Sequence, residues 1–151
     1  MPAVSRAGEL VRLEIPAQPA FVGVVRSVVA AVASAVDGID DDRLEGLRVA
    51  VSEACTNAVE AHRRESLDDR VVVTCTLADE QLEVRIEDSS SEFDVSDVPA
   101  APGPDSMPSA SSERGWSIQL IQALVDDVTF RQTAAGTAVD LVVRLDGMAT
   151  G

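Results

Sequence analysis

Glu53 and Asn57 stand four residues apart in the run Val51-Ser52-Glu53-Ala54-Cys55-Thr56-Asn57-Ala58, inside a segment with helical periodicity. Four residues is just over one helical turn, so a carboxylate and a carboxamide project side by side from one face. A carboxylate can take a proton from a hydroxyl, and an amide oxygen beside it can ligate Mg²⁺. The pairing suits phosphoryl transfer from a nucleotide. Taken alone, the same two residues are also what a solvated helix face presents.

The elements that must carry this pair can be read along the chain. Leu10 to Ile15 alternates as a short strand, broken by Pro16 and Pro19. A helix pattern runs from about Ala20 to Val36 and ends in Asp37-Gly38. Asp40, Asp41 and Asp42 offer N-caps for a second helix reaching about His62, with Leu44, Leu47, Val51, Ala54 and Ala58 as its apolar stripe. Glu53 and Asn57 lie well round from the centre of that stripe and can border a cleft. Two strands follow, Val71–Leu77 and Leu82–Asp88, around an Asp79-Glu80 turn. The period of two puts Asp88 on the face of Leu82, Val84 and Ile86, where a carboxylate needs a partner. Residues 89–112, rich in Ser and Pro, read as a long mobile loop, either lid-like or a connector. A third helix is expected over about Glu113–Val125, then strands near Val128–Gln132 and Thr137–Leu145 about a turn with Gly136. His62, at a helix end, reads as solvated.

Composition narrows the function classes. The chain has 151 residues, 46% hydrophobic and 3% aromatic, enough for one domain over 1–151 whose core is mostly Val, Leu, Ile and Ala. Its net charge is −14 and all 12 basic residues are Arg. That acidity argues against direct nucleic-acid binding. The absence of lysine argues against a lysine-dependent phosphate loop, a Schiff-base enzyme and a kinase of the common eukaryotic type. Cys55 and Cys75 lack metal or redox spacing and read as small buried hydrophobes. No apolar run reaches transmembrane length and no signal core is present, so a soluble cytoplasmic protein is expected, with no membrane contact.

Four pieces in order carry a family resemblance over roughly residues 10–145: Ser52-Glu53-Ala54-Cys55-Thr56-Asn57-Ala58-Val59, Asp88 at a strand end, Glu113-Arg114-Gly115 opening a helix, and Gly136-Thr137 before the last strand. The chain resembles the GHKL (histidine-kinase-like) ATPase superfamily, and within it the anti-sigma-factor serine kinases of bacterial partner-switching systems. The resemblance implies an α/β (α+β) two-layer sandwich, a mixed β-sheet with helices on one face. Glu53 would be general base toward a serine hydroxyl, and Asn57 would hold Mg²⁺. Asp88 would receive the adenine amino group of ATP, with Thr137 near the same end. Phe93 matches the family after Asp88. Gly115 would offer backbone N–H groups to phosphate, beside Arg114, Trp116 and Ser117. Ser90 and Glu92 stand where the family has glycine after Asp88, and Ser117 replaces the second glycine of the later motif.

The implied activity is that of an anti-sigma factor acting in stress response. It would sequester a sigma factor and use ATP and Mg²⁺ to phosphorylate an anti-anti-sigma (STAS-type) partner, as a homodimer. The alternative that the lost glycines raise is a degenerate ATPase-fold module that binds its partner without ATP turnover.

Overall fold

The computed structural model describes residues 8–91 and 113–146, with the backbone alone for 113–116. Five strands and three helices follow one another as β1 (Gly8–Ile15), α1 (Val22–Ala35), α2 (Asp41–Arg64), β2 (Val71–Ala78), β3 (Gln81–Asp88), α3 (Glu113–Leu124), β4 (Asp127–Thr133) and β5 (Gly136–Arg144). A single 3-10 turn, Pro19–Phe21, leads into α1.

The strands form one sheet in the order β1-β2-β3-β5-β4. The two-layer sandwich is as the sequence implies, but the sheet is antiparallel at every pairing rather than mixed. The reason lies in the last hairpin. β3 and β4 run the same way, joined through α3, and β5 inserts between them, so no two parallel strands become neighbours.

Strand alternation makes the two faces of the sheet different. Val71, Val73, Cys75, Leu82, Val84, Ile86, Leu141 and Val143 are buried against the helices. The opposite face carries polar side chains, among them Asp140, which Arg85 and Arg131 approach to 2.6 and 2.9 Å. Such half-exposed pairs contribute little stability but keep that face wet.

The helix layer is valine- and alanine-rich. In α1, Val25, Val29 and Ala33 recur at one-turn spacing and are buried. β-branched residues are poor helix formers, so packing on α2 and the sheet must hold α1 together. α2 starts where Asp40 caps it: the Arg43 N–H donates to Asp40 Oδ1 at 2.8 Å. Asp41 and Asp42 in its first turn and Arg63 and Arg64 in its last match the helix dipole. Gly46 lets α3 lie close, since a Cβ there would sit 3.0 Å from the Leu124 carbonyl oxygen. Among the described residues, no helix is long and apolar enough to cross a membrane.

Candidate functional site

α2 turns its buried stripe, from Leu47 through Ala54 and Ala58, onto the core. Glu53 and Asn57 are left half-buried on the flank that faces α3. There Ser117 joins them. Its hydroxyl donates to Glu53 Oε2 at 2.9 Å and lies 3.2 Å from Asn57 Nδ2. Ile118 and Ile121, both buried, fix the α3 face that delivers Ser117. Sequence periodicity placed the acid and amide on one face. It did not foresee that a residue 60 positions on would bridge them.

Asp88 ends β3 directly opposite Thr137 of β5. The expected partner for its carboxylate is Ser90: the Ser90 N–H and hydroxyl both donate to Asp88 Oδ1, at 2.8 and 2.5 Å. Thr137 is buried and donates to the Ser90 carbonyl at 3.1 Å. Gly136 makes this closeness possible. It has φ +147°, and a Cβ there would overlap the Asp88 carbonyl oxygen and come within 2.6 Å of Ser89 Cα.

Asn57, Asp88 and Thr137 share a small cavity with Ala54, Ala58, Ile118, Ile121, Phe130 and Val139. Phe130 is a wall that the sequence reading passed over. The signal was present, because Phe130 is the large apolar residue on the inward face of β4. Apolar walls with one carboxylate and one hydroxyl have the chemistry that a flat heteroaromatic base requires. The cavity volume is about 20 Å³, room for roughly one water. The lining therefore fits a nucleobase in kind, and the pocket has to widen to take one.

The three serines after Asp88 are held one by one. Ser89 N–H donates to His62 Nε2 at 2.8 Å, Ser90 N–H to Asp88, and Ser91 N–H to both Glu65 oxygens at 3.1 Å. His62 corrects a sequence expectation. It is fully buried instead of solvated, and its Nδ1 lies 3.0 Å from the Asp69 carbonyl. The start of the Ser/Pro-rich stretch, expected to be mobile, has all three backbone donors satisfied by side chains. The rest of that stretch, 92–112, lies outside the described residues, and Phe93 with it.

Arg114, Gly115 and Trp116 occupy the first turn of α3, and their side chains also lie outside the described residues. Cys55 and Cys75 are buried free thiols, and burial pushes both up to about 11. Among the described residues, no three His, Cys, Asp or Glu side chains gather as a ready metal cage. Mg²⁺ at Asn57 would therefore share its coordination with phosphate oxygens and water, which is that ion's usual habit beside nucleotides.

Comparison with known proteins bears on this arrangement. The family model of the histidine kinase-like ATPase domain matches residues 15–143. The chain is similar to the serine-protein kinase RsbW of Bacillus subtilis, 34% identical over 143 residues, spanning 92% of this chain and 88% of that protein. It is similar to the serine-protein kinase RsbW of Bacillus velezensis, 34% identical over 148 residues, with 95% and 91% covered. Among solved structures, the RsbU and RsbW domains of a Mycobacterium tuberculosis protein share the fold. The TM-score is 0.64 over 89% of this chain and 31% of that one, at 20% identity.

Proposed function

Because the chain belongs to the histidine kinase-like ATPase family, and within it to the RsbW-type anti-sigma-factor kinases, we propose that it is a partner-switching serine kinase. It sequesters a sigma factor and, with ATP and Mg²⁺, phosphorylates a serine of an anti-anti-sigma (STAS-type) protein. It works as a homodimer in the cytoplasm. The observation that carries this reading is the Glu53–Ser117–Asn57 cluster, whose Asn57 also lines the cavity it shares with Asp88 and Thr137.

Each residue has a role in that reading. Glu53 takes the proton from the partner's serine hydroxyl. Asn57 is the protein's ligand for Mg²⁺. Asp88 accepts from the amino group of the base, and Thr137 closes the same end of the cavity. Gly115 and the α3 N-terminus present backbone N–H groups to phosphate, and Arg114, Trp116 and Ser117 belong to the same nucleotide-binding run, Arg114 bringing positive charge. Phe93 belongs to the same base-binding segment as Asp88. When bound, ATP would supply the phosphoryl group and Mg²⁺ held by Asn57 would offset phosphate charge, leaving Glu53 to receive the serine proton.

A second reading rests on different observations. Ser90 already occupies Asp88 Oδ1, and the cavity holds about 20 Å³. A module that binds its partner on this fold without turning over ATP would tolerate both. Calorimetry of ATP binding with and without Mg²⁺ separates the two. Mg-dependent binding that Asp88→Asn abolishes supports the kinase, and silence at millimolar ATP supports the binding module. If ATP binds, phosphate transfer to a serine partner should be lost in Glu53→Ala while ATP binding persists. Equal transfer by wild type and Glu53→Ala would remove Glu53 as the base.

A further inference from the structure

The Ser117 hydroxyl touches both residues of the proposed transfer pair. A hydroxyl has one proton to give and lone pairs to receive with. A carboxylate can only accept, so the contact at 2.9 Å to Glu53 Oε2 commits the Ser117 proton to Glu53. What remains on Ser117 is acceptor capacity. Its neighbour in Asn57 must then be a donor, and the amide nitrogen is the atom found there, at 3.2 Å. The two ends of a carboxamide oppose each other, so fixing Nδ2 on Ser117 turns Oδ1 the other way.

We propose that Ser117 is a positioning residue: by spending its proton on Glu53 it fixes the Asn57 amide with its oxygen presented to Mg²⁺. This rests on the kinase reading above, and concerns the metal at that site. The hydroxyl reaches the metal only through Asn57. Ser117 is nearly fully buried, which keeps water from replacing it in either hydrogen bond. Without the hydroxyl, Glu53 and Asn57 lose their shared partner, and the amide is free to rotate between donor and acceptor orientations.

The test is ATP titration by calorimetry on the full chain, across a series of Mg²⁺ concentrations, in wild type, Ser117→Ala, Ser117→Thr and Asn57→Ala. Circular dichroism establishes that each variant is folded. In wild type, Mg²⁺ should strengthen ATP binding. Ser117→Ala should lose about tenfold of the Mg²⁺ enhancement, read as the ratio of its own ATP affinities with and without Mg²⁺ whatever its Mg-free affinity, the scale of one hydrogen bond to a charged or metal-linked group. Ser117→Thr, which keeps the hydroxyl, should restore it. Asn57→Ala should remove the enhancement altogether. Ser117→Ala with an undiminished enhancement overturns the positioning role and leaves the kinase reading standing. Failure of wild type to show any Mg²⁺ enhancement overturns both.

Discussion

Ser90 places two donors on one oxygen of Asp88, its backbone N–H at 2.8 Å and its hydroxyl at 2.5 Å. The hydroxyl is the part that a glycine would lack, and it competes with whatever the base of a nucleotide would donate to Asp88. Ser90→Gly should therefore bind ATP more tightly, by about tenfold, since a hydrogen bond to a carboxylate contributes roughly 1.5–3 kcal/mol. The same change should lower thermal stability, because Ser90 is buried and Asp88 loses a partner. Binding no tighter than wild type, measured by calorimetry, would mean that Asp88 does not meet the base.

His62 makes a prediction that a spectrum can check. Ser89 N–H can only donate to Nε2 and the Asp69 carbonyl can only accept from Nδ1. These partners select the neutral ring with its proton on Nδ1. Long-range ¹⁵N correlation spectra should show Nδ1 protonated and Nε2 bare at neutral pH. His62→Ala should cost about 2–4 kcal/mol in urea unfolding, from a lost buried ring and two unmet backbone groups. The reverse tautomer would mean that the end of α2 is not tied to the segment after Asp88.

Much of this was open to a reader of the sequence, and the misses share one cause. Asp40 as helix cap, the Asp79-Glu80 hairpin and the pairing of Glu53 with Asn57 on one face all depend on residues within a turn or two of each other. Local patterning fixes such features. His62–Ser89, Glu65–Ser91 and Glu53–Ser117 join residues 26 to 64 positions apart. A histidine among arginines at a helix end looks solvated until the segments before β2 and after β3 that meet it are known. The order of β5 and β4 is of the same kind, because alternation marks a strand without naming its neighbour.

Among the described residues, two adopt the left-handed backbone without being glycine. Ser66, with φ 55°, follows the end of α2, where its N–H reaches the Arg63 carbonyl and Leu67 N–H reaches the His62 carbonyl at 2.9 Å. Helices that close in this way most often place glycine at that position. Glu80, with φ 58°, closes the β2–β3 hairpin. Ser66→Gly and Glu80→Gly should each raise stability by about 0.5–1 kcal/mol. Relief of roughly 1–2 kcal/mol of left-handed strain exceeds the added unfolded-state entropy of glycine. Urea midpoints that fall in both variants would contradict this.

Asp126 ties the start of β4 to the last strand and to α2, and it should set part of the acid stability. Burial works to raise its carboxyl. The Arg144 backbone N–H at 2.6 Å and the Arg43 guanidinium at 2.8 Å outweigh that and hold it below its ordinary value of 3.8. The sign follows from which form the fold prefers. A carboxyl depressed in the folded state binds fewer protons there than in the unfolded chain, so its stabilisation is present above the ordinary carboxylate range and lost as pH falls through the folded value. Arg43 also reaches Asp146 at 3.0 Å and the Arg144 carbonyl, so protonating Asp126 loosens a cross-link between the first turn of α2 and the end of β5. Wild type should lose stability steeply below about pH 4. Asp126→Asn should be less stable at pH 7 and show a shallower decline on acidification, read from urea unfolding at a series of pH values. Parallel curves for the two proteins would show that Asp126 titrates alike in the folded and unfolded chains.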